Sequence, residues 1–202
     1  ANSGRAKEAE PLLTEALELR TSSLPPSHFW VAAAKGALGE CFALQNRFDE
    51  AEREADRSLA FDSTDVGVLT YKAMARLGRG DLAGARDVAR LATARANPAD
   101  ALAHIGRFYD LYWLLDSTDQ RRLETLTDLP FGGSAAERTL VLAELHHSRG
   151  DRQATRRYAD SSRALFESQL RDTPGDAQRI ALLGVALAMC GKADSAVRAG
   201  AR

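Results

Sequence analysis

The chain has 202 residues, is 45% hydrophobic and 6% aromatic, and carries a formal net charge of −1. That balance excludes a global basic field of the kind that draws nucleic acid, and no apolar run reaches the roughly 20 residues of a membrane span. Ala and Leu supply most of the hydrophobic content, which favours helices over a large sheet built from β-branched residues. The two cysteines, Cys41 and Cys190, show no metal or redox spacing and read as small buried hydrophobes.

In chain order, residues 1–5 read as the tail of one helix and the turn after it, with Gly4 at the turn. A single helix follows to about residue 19, and its partner would lie before Ala1. Val31 to Leu44 is the next expected helix, with Val31, Leu38 and Phe42 on one stripe at helical spacing. Gly39 would let the partner helix approach closely. Asn46 can end the helix in a left-handed conformation. Phe48 is expected to plug the space between the pair, and Ala51, Ala55 and Leu59 to line the inner face of the second helix. Val66 to Leu77 and the stretch from Gly80 form another pair, closed at Asn97–Pro98 because proline cannot continue a helix.

Residues 99–134 are less clearly marked. Ile105, Phe108, Tyr109, Tyr112, Trp113 and Leu115 read as an aromatic-rich helix. Asp116–Ser117 reads as a break with capping residues, and Leu123, Leu126 and Leu129 as a short second helix. Pro130 to Gly133 reads as a loop. Beyond it, AERTLVLAELHHSRGDRQATRRYADSSRALFESQL carries Leu142–Ala143 in the first helix and ends at Thr173–Pro174–Gly175. The last stretch, RIALLGVALAMCGKADSAVRAG, carries Leu183–Gly184, Gly191 and Ala196, and Arg202 falls inside a final helix. The segment therefore reads as a piece of a longer protein.

A Gly or Asn followed five positions later by a small residue recurs at Gly4/Ala9, Asn46/Ala51, Gly80/Ala85, Gly150/Thr155 and Gly191/Ala196. The small residues are 42, 34, 70 and 41 positions apart. A period of 34 with helix–turn–helix units is that of tetratricopeptide (TPR) arrays, and ALGECFALQNRFDEAEREADRSL resembles a TPR repeat closely. The resemblance implies an all-α fold, a right-handed α-solenoid of helix–turn–helix TPR units truncated at both ends. One array over 1–202 would have units at about 1–22, 28–61, 65–97, 99–129, 135–172 and 176–202. The unit at 99–129 is then a degenerate repeat or, alternatively, a hinge between two sub-arrays; the doubled spacing favours the repeat. Residues 4–59, with EAEPLL and LPPSH, are similar to the long-linker repeats of kinesin light chains. They resemble still more the TPR tails that follow the catalytic domain of bacterial serine/threonine protein kinases, as does the closing stretch from Asp151. This implies a signalling context and leaves the compartment open. The cytoplasm is the default, and an extracytoplasmic place is expected if a membrane helix precedes the segment. The chain lacks a glycine-rich nucleotide loop with its Lys, a His-Arg-Asp and an Asp-Phe-Gly, so kinase activity would belong to other sequence.

The candidate chemical sites read as structure. Arg79–Gly80–Asp81 and Arg149–Gly150–Asp151 have the form of adhesion triplets, yet both fall where Gly ends one helix and Asp caps the next. His146 and His147 are adjacent on a helix and point about 100° apart, which is poor geometry for one metal. The run from Arg149 to Arg171 is interleaved with Asp151, Asp160 and Glu167, the pattern of a solvated face. No catalytic residue, cofactor or metal is expected.

The remaining candidate is the concave surface that first helices line in a TPR superhelix. It should present Ala33, Gly36, Ala37, Glu40 and Ala43, then Glu137, Leu140, Val141, Glu144 and His147, then Gln178, Ala181, Val185 and Ala188. The Lys, Arg and Asn set with which some TPR domains clamp acidic C-termini is missing. Small residues with Glu40 and Glu144 suit an apolar or basic protein segment. The alternative is contact with another part of the parent protein. Nucleic acid and membrane insertion are not expected.

Overall fold

The computed structural model describes residues 2–108 and 111–201, without the side chains of residues 2–4 and 108. Tyr109, placed above in an aromatic helix, lies outside these residues. Among them are eleven α-helices and two short 3-10 turns, with no strand. The chain divides into two compact units, residues 1–101 and 102–202.

The first unit holds α1 (Asn2–Ser23), α2 (Phe29–Leu44), α3 (Phe48–Leu59), α4 (Val66–Gly78) and α5 (Leu82–Arg95). Each helix packs on the next, and α2 also reaches α4. The contact surfaces are built from small residues. Ala51, Ala55 and Ala75 are fully buried, and Leu38, Phe42, Ala51 and Ala75 form one core cluster with Leu13, Leu17 and Phe48 around it. A Cβ added to Gly39 would lie 3.0 Å from the Tyr71 ring and 3.2 Å from the Ala51 carbonyl oxygen, so the missing side chain is what lets α3 and α4 come this near. Phe48 turns its ring onto Gly78, where a Cβ would fall 2.2 Å from the ring.

The second unit contains most of α6 (Pro98–Phe108), α7 (Ser117–Thr125), α8 (Ala135–Ser148), α9 (Arg152–Asp172), α10 (Ala177–Met189) and α11 (Ala193–Gly200). Here α8 packs on α9 and α10 as α2 packs on α3 and α4. Ala136, Leu140, Phe166 and Ala186 form its core with Leu165, Leu182, Leu183 and Met189. One polar tie recurs in both units. The Ser58 hydroxyl donates to the Ala32 carbonyl (3.1 Å) and the buried Ser162 hydroxyl donates to the Ala136 carbonyl (2.9 Å). Each joins a second helix to the first turn of its partner, and such a bond contributes about 0.5–1.5 kcal/mol.

The turns follow one recipe. Asn46, Gly80, Gly150 and Gly191 all have φ between 63° and 79°, the left-handed region in which glycine pays no steric cost and asparagine little. The residue after each donates its N–H back into the preceding helix, as Asp81 does to Arg76 and Asp151 to His146. The Asp81 and Asp151 carboxylates then accept from Gly84 and Ala154, capping α5 and α9. Both Arg-Gly-Asp triplets are helix-to-helix turns.

Several expectations need correction. Residues 2–5 are not a turn: α1 runs unbroken from Asn2, Gly4 included. Gly4 takes the helical conformation of its neighbours and does not reverse the chain as Gly80, Gly150 and Gly191 do. The expected aromatic helix is described as far as Phe108, and Tyr112–Leu114 is a 3-10 turn and not part of an α-helix. Its aliphatic residues Ile105, Leu111, Leu114 and Leu115 are buried while Trp113 is 43% exposed. Leu129 lies outside α7 and is 81% exposed. The supposed loop residue Phe131 is fully buried instead; left-handed Gly132 and Gly133 reverse the chain just after it. Asn97–Pro98 opens a helix as well as closing one, because the Asn97 side chain accepts from Ala99 and Asp100.

Arg47 clamps α1 to the following pair. Its guanidinium donates to Glu10 and Glu50 (2.6 Å each) and lies 4.2 Å from the Phe42 ring centre. Hydrogen bonding to Arg47 holds both carboxyls below their usual range. The stability they add is complete above the roughly 4.3 of an unfolded glutamate and is lost as pH falls through their lower folded values. These groups are partly exposed, so the effect is small and screened by salt. Glu10→Gln should therefore lower the melting temperature slightly at neutral pH and low salt, and the difference from wild type should vanish well below the carboxylate range.

The two Leu–Gly helices should respond differently to a methyl group. Gly39→Ala has no room and should cost about 1–3 kcal/mol in urea unfolding. A Cβ at Gly184 would meet its nearest atoms, on Ala196 and Ala199, at 3.6 Å, an ordinary contact. Gly184→Ala should be neutral or stabilise by up to about 1 kcal/mol through helix propensity.

Candidate functional site

Each unit holds a concavity, walled in the second unit by α6, α8 and α10 and in the first by α1 and α2. In the second unit a cavity of about 170 Å³ is lined by Arg107 of α6, by Glu137, Leu140, Val141 and Glu144 of α8, and by Gln178 and Leu182 of α10. Ser134 caps α8 by accepting from the Glu137 N–H, and Asp176 caps α10 by accepting from the Arg179 N–H. These caps set where each helix starts and so fix the phase of the lining residues. Arg107 approaches Glu137 at 3.3 Å across the cavity. Val141 sits on Gly106, whose added Cβ would fall 2.8 Å from a Val141 methyl, so α6 and α8 are in close contact beside it.

In the first unit a more open cleft of about 350 Å³ lies between Arg5, Ala6, Ala9 and Leu13 of α1 and Ala37, Glu40, Cys41 and Leu44 of α2. Its lining is mostly apolar. The Cys41 thiol donates to the Ala6 carbonyl (3.1 Å), tying the two helices at its floor.

The expected groove residues therefore fall into two sites. Glu137, Leu140, Val141, Glu144 and Gln178 line the second-unit cavity, and Ala37 and Glu40 the first-unit cleft. Ala33 is half-buried, as is Ala43, while Ala181, Val185, Ala188 and His147 are exposed outside these linings. Gly36 is buried and faces inward, where a Cβ would meet Ser58 and Val68 at 3.3 and 3.4 Å. It makes room for packing and presents nothing to a ligand. Glu144 is only 9% exposed, where an exposed side chain was expected, because α8 is covered on several sides. Arg107, Leu182, Leu44 and the α1 residues were missed. Leu182 was legible in principle, one turn beyond Gln178. The rest depend on which neighbouring helix faces the groove.

Nothing in either site forms a catalytic pair. Among the described residues no group of three His, Cys, Asp or Glu side chains has metal-binding geometry. His146 stacks on Tyr158 with centroids 5.3 Å apart, and His147 turns to solvent. Cys190 is half-buried, and burial raises its thiol pKa, the opposite of an activated nucleophile. Arg163 is held by Asp160 (2.8 Å) and Glu167 (2.6 Å) on one solvated face.

The burial difference between the two glutamates gives a direct check. Glu40→Lys should leave stability within about 0.5 kcal/mol of wild type. Glu144→Lys, which inserts a cation beside Arg107 in a covered site, should cost about 2 kcal/mol or more by thermal or urea unfolding.

Residues 1–63 match the family described as tetratricopeptide repeat, less than a third of the chain. No curated protein matches it. Among solved structures, a tetratricopeptide repeat protein from Parabacteroides merdae is similar with a TM-score of 0.50 at 19% identity, covering 98% of this chain and 72% of that one. A putative kinesin light chain from Podospora anserina with nearly identical TPR-like repeats is similar with a TM-score of 0.45 at 15% identity, over 98% of this chain and 84% of that one; this second likeness carries no further weight. The narrower resemblance to kinase tails finds no support in these matches. Tetratricopeptide repeats generally mediate protein–protein interaction and are typically non-catalytic. What the helix pairs, their turns and these likenesses establish together is an all-α fold of the tetratricopeptide kind.

Proposed function

We propose that this chain is a non-enzymatic interaction module that binds a peptide or a partner domain along its first helices, with an apolar segment carrying a basic residue as ligand. The observation that supports this most is the second-unit cavity. Its aliphatic side chains, Leu140, Val141 and Leu182, stand beside two carboxylates and one guanidinium, a local excess of negative charge. At about 170 Å³ it is smaller than the roughly 300–1,000 Å³ of small-molecule sites, which suits one side chain of a longer ligand. Contact between this surface and another part of the parent protein would use the same chemistry.

A second reading rests on residues 4–59, whose likeness to bacterial kinase tails favours a regulatory or scaffolding region beside a signalling enzyme. A kinase domain upstream in the same reading frame would decide for it.

The test is selection of peptides from a random display library on the chain, followed by calorimetric titration of the enriched sequence. Lys or Arg flanked by aliphatic residues should be enriched. Gln178→Lys, which adds a positive charge at the cavity while altering an exposed residue, should weaken binding about tenfold with an unchanged melting temperature. Enrichment of acidic peptides, or affinity indifferent to Gln178→Lys, would rule the reading out.

A further inference from the structure

The first helices of the repeat do not start alike. Counted back from the left-handed residue that follows each, α2 begins at Phe29, 17 positions before Asn46, while α4, α8 and α10 begin 14, 15 and 14 positions before Gly80, Gly150 and Gly191. The longer start of α2 is capped by His28, whose Nδ1 accepts from the Trp30 N–H at 3.1 Å. The places that Phe29 and Trp30 take are held elsewhere by Ser63–Thr64, Gly133–Ser134 and Pro174–Gly175. All of these but the half-buried Ser134 are exposed, although a helix pair precedes each of them. The place faces solvent by the geometry of the repeat, and the core does not need two large aromatic rings there.

The rings are not isolated. Phe29 meets Trp30 edge to face with ring centres 5.2 Å apart, and Phe61, just beyond α3, lies 6.3 Å from Phe29. Phe29, Trp30 and Phe61 are 57%, 52% and 44% exposed. At about 150–250 Å² for a whole aromatic side chain, the row leaves on the order of 300 Å² of apolar surface open, the size at which a contiguous patch marks an interaction site. The row is charged at both ends. At one, the Arg20 guanidinium lies 5.3 Å from the Trp30 ring centre and donates to the Trp30 carbonyl (3.0 Å). At the other, Asp62 follows Phe61. Its carboxylate accepts from the Thr64 hydroxyl and N–H (2.6 and 2.8 Å), which holds its pKa below the usual range.

We infer that this row is the contact of a homodimer, in which a second copy of the chain lies antiparallel across it about a twofold axis near Phe29. The order Arg20, Trp30, Phe29, Phe61, Asp62 is its own complement under that operation. Trp30 of each copy meets Phe61 of the other, and Arg20 of each meets Asp62 of the other, so opposite charges pair at both ends. A partner of one charge sign would set a like charge against Arg20 or Asp62, and an uncharged segment would leave both without a counterpart. The surface is well below the roughly 800 Å² per partner of a standard interface, so the dimer is weak and depends on concentration. It is separate from the second-unit cavity and stands whether or not that cavity takes a peptide.

The experiment is analytical ultracentrifugation of the 202-residue chain from about 1 μM to about 1 mM, with flotation on phosphatidylserine vesicles alongside. Monomer should give way to dimer within that range. Trp30→Ser, a change at an exposed position, should weaken the dimer at least about tenfold with native circular dichroism. Arg20→Glu and Asp62→Lys should each weaken it by a similar factor, because the symmetry reverses two contacts at once. Mixed in equal amounts, these two variants should associate with each other more tightly than either does with itself, since opposite charges then meet at both ends. Packing lost within one chain cannot produce that recovery. Gln178→Lys should have no effect, which separates this contact from the second-unit cavity. A chain that stays monomeric throughout, a dimer indifferent to Trp30→Ser, or a mixture that associates no better than its components would overturn the inference. So would a monomer that floats with the vesicles through Trp30, since the occupant would then be a lipid surface.

Discussion

The close approach of one helix to the next pair, made possible by small residues at the contact, is the constraint on which everything else in each unit rests. Ala51, Ala55, Ala75, Ala136, Ala159 and Ala186 are at or near zero exposure. Such residues lose no side-chain entropy on burial, and they leave room for a few large neighbours to fill the remaining volume. Where a large ring does enter, a glycine stands opposite, as with Tyr71 on Gly39 and Phe48 on Gly78. A close-packed interior of this kind tolerates little change in volume. That is why a Cβ at Gly39 would press on the Tyr71 ring and the Ala51 carbonyl, while one at Gly184 would meet only ordinary contacts, despite their matching place in the repeat.

The turns convert this local packing into a repeated geometry. A left-handed Asn or Gly, followed by an N–H that returns to the preceding helix, sends the second helix back along the first at a set angle. An aspartate cap then starts α5 and α9, and a cap of Asp or Ser starts α4, α7, α8 and α10. None of these devices is strong alone, at about 1 kcal/mol for a cap. Together they keep each helix in phase, so that one stripe faces the core and another is left for solvent or a ligand. The candidate surface is a by-product of the packing rule.

This also explains why the candidate surface is not uniform along the chain. Leu140 and Gly36 occupy corresponding places on α8 and α2, yet one lines a cavity and the other is sealed beneath Ser58 and Val68. Glu40 is exposed and Glu144 covered for the same reason: the amount of protein laid over each first helix differs. Electrostatics follows burial. Arg47 and its two glutamates act at a half-exposed joint and contribute little in salt, whereas the Arg107–Glu137 pair sits inside a concavity.

The helix-pair fold was legible in the amino-acid sequence because its rules are local. The spacing of small residues from Ala51 to Ala85, the left-handed positions at Asn46, Gly80, Gly150 and Gly191, and the proline breaks each depend on residues a few positions apart. Helical periodicity likewise placed Leu140, Val141 and Gln178 on an inner stripe. Sequence reading failed where a residue's state depends on another helix. Phe131 reads as a loop residue until the reversal at Gly132 and Gly133 tucks it into the core. Trp113 reads as core, but it falls in the 3-10 turn Tyr112–Leu114 and is exposed. The inward face of Gly36 and the burial of Glu144 both turn on what lies across the contact. That is a property of three-dimensional packing, and only the tertiary structure decided it.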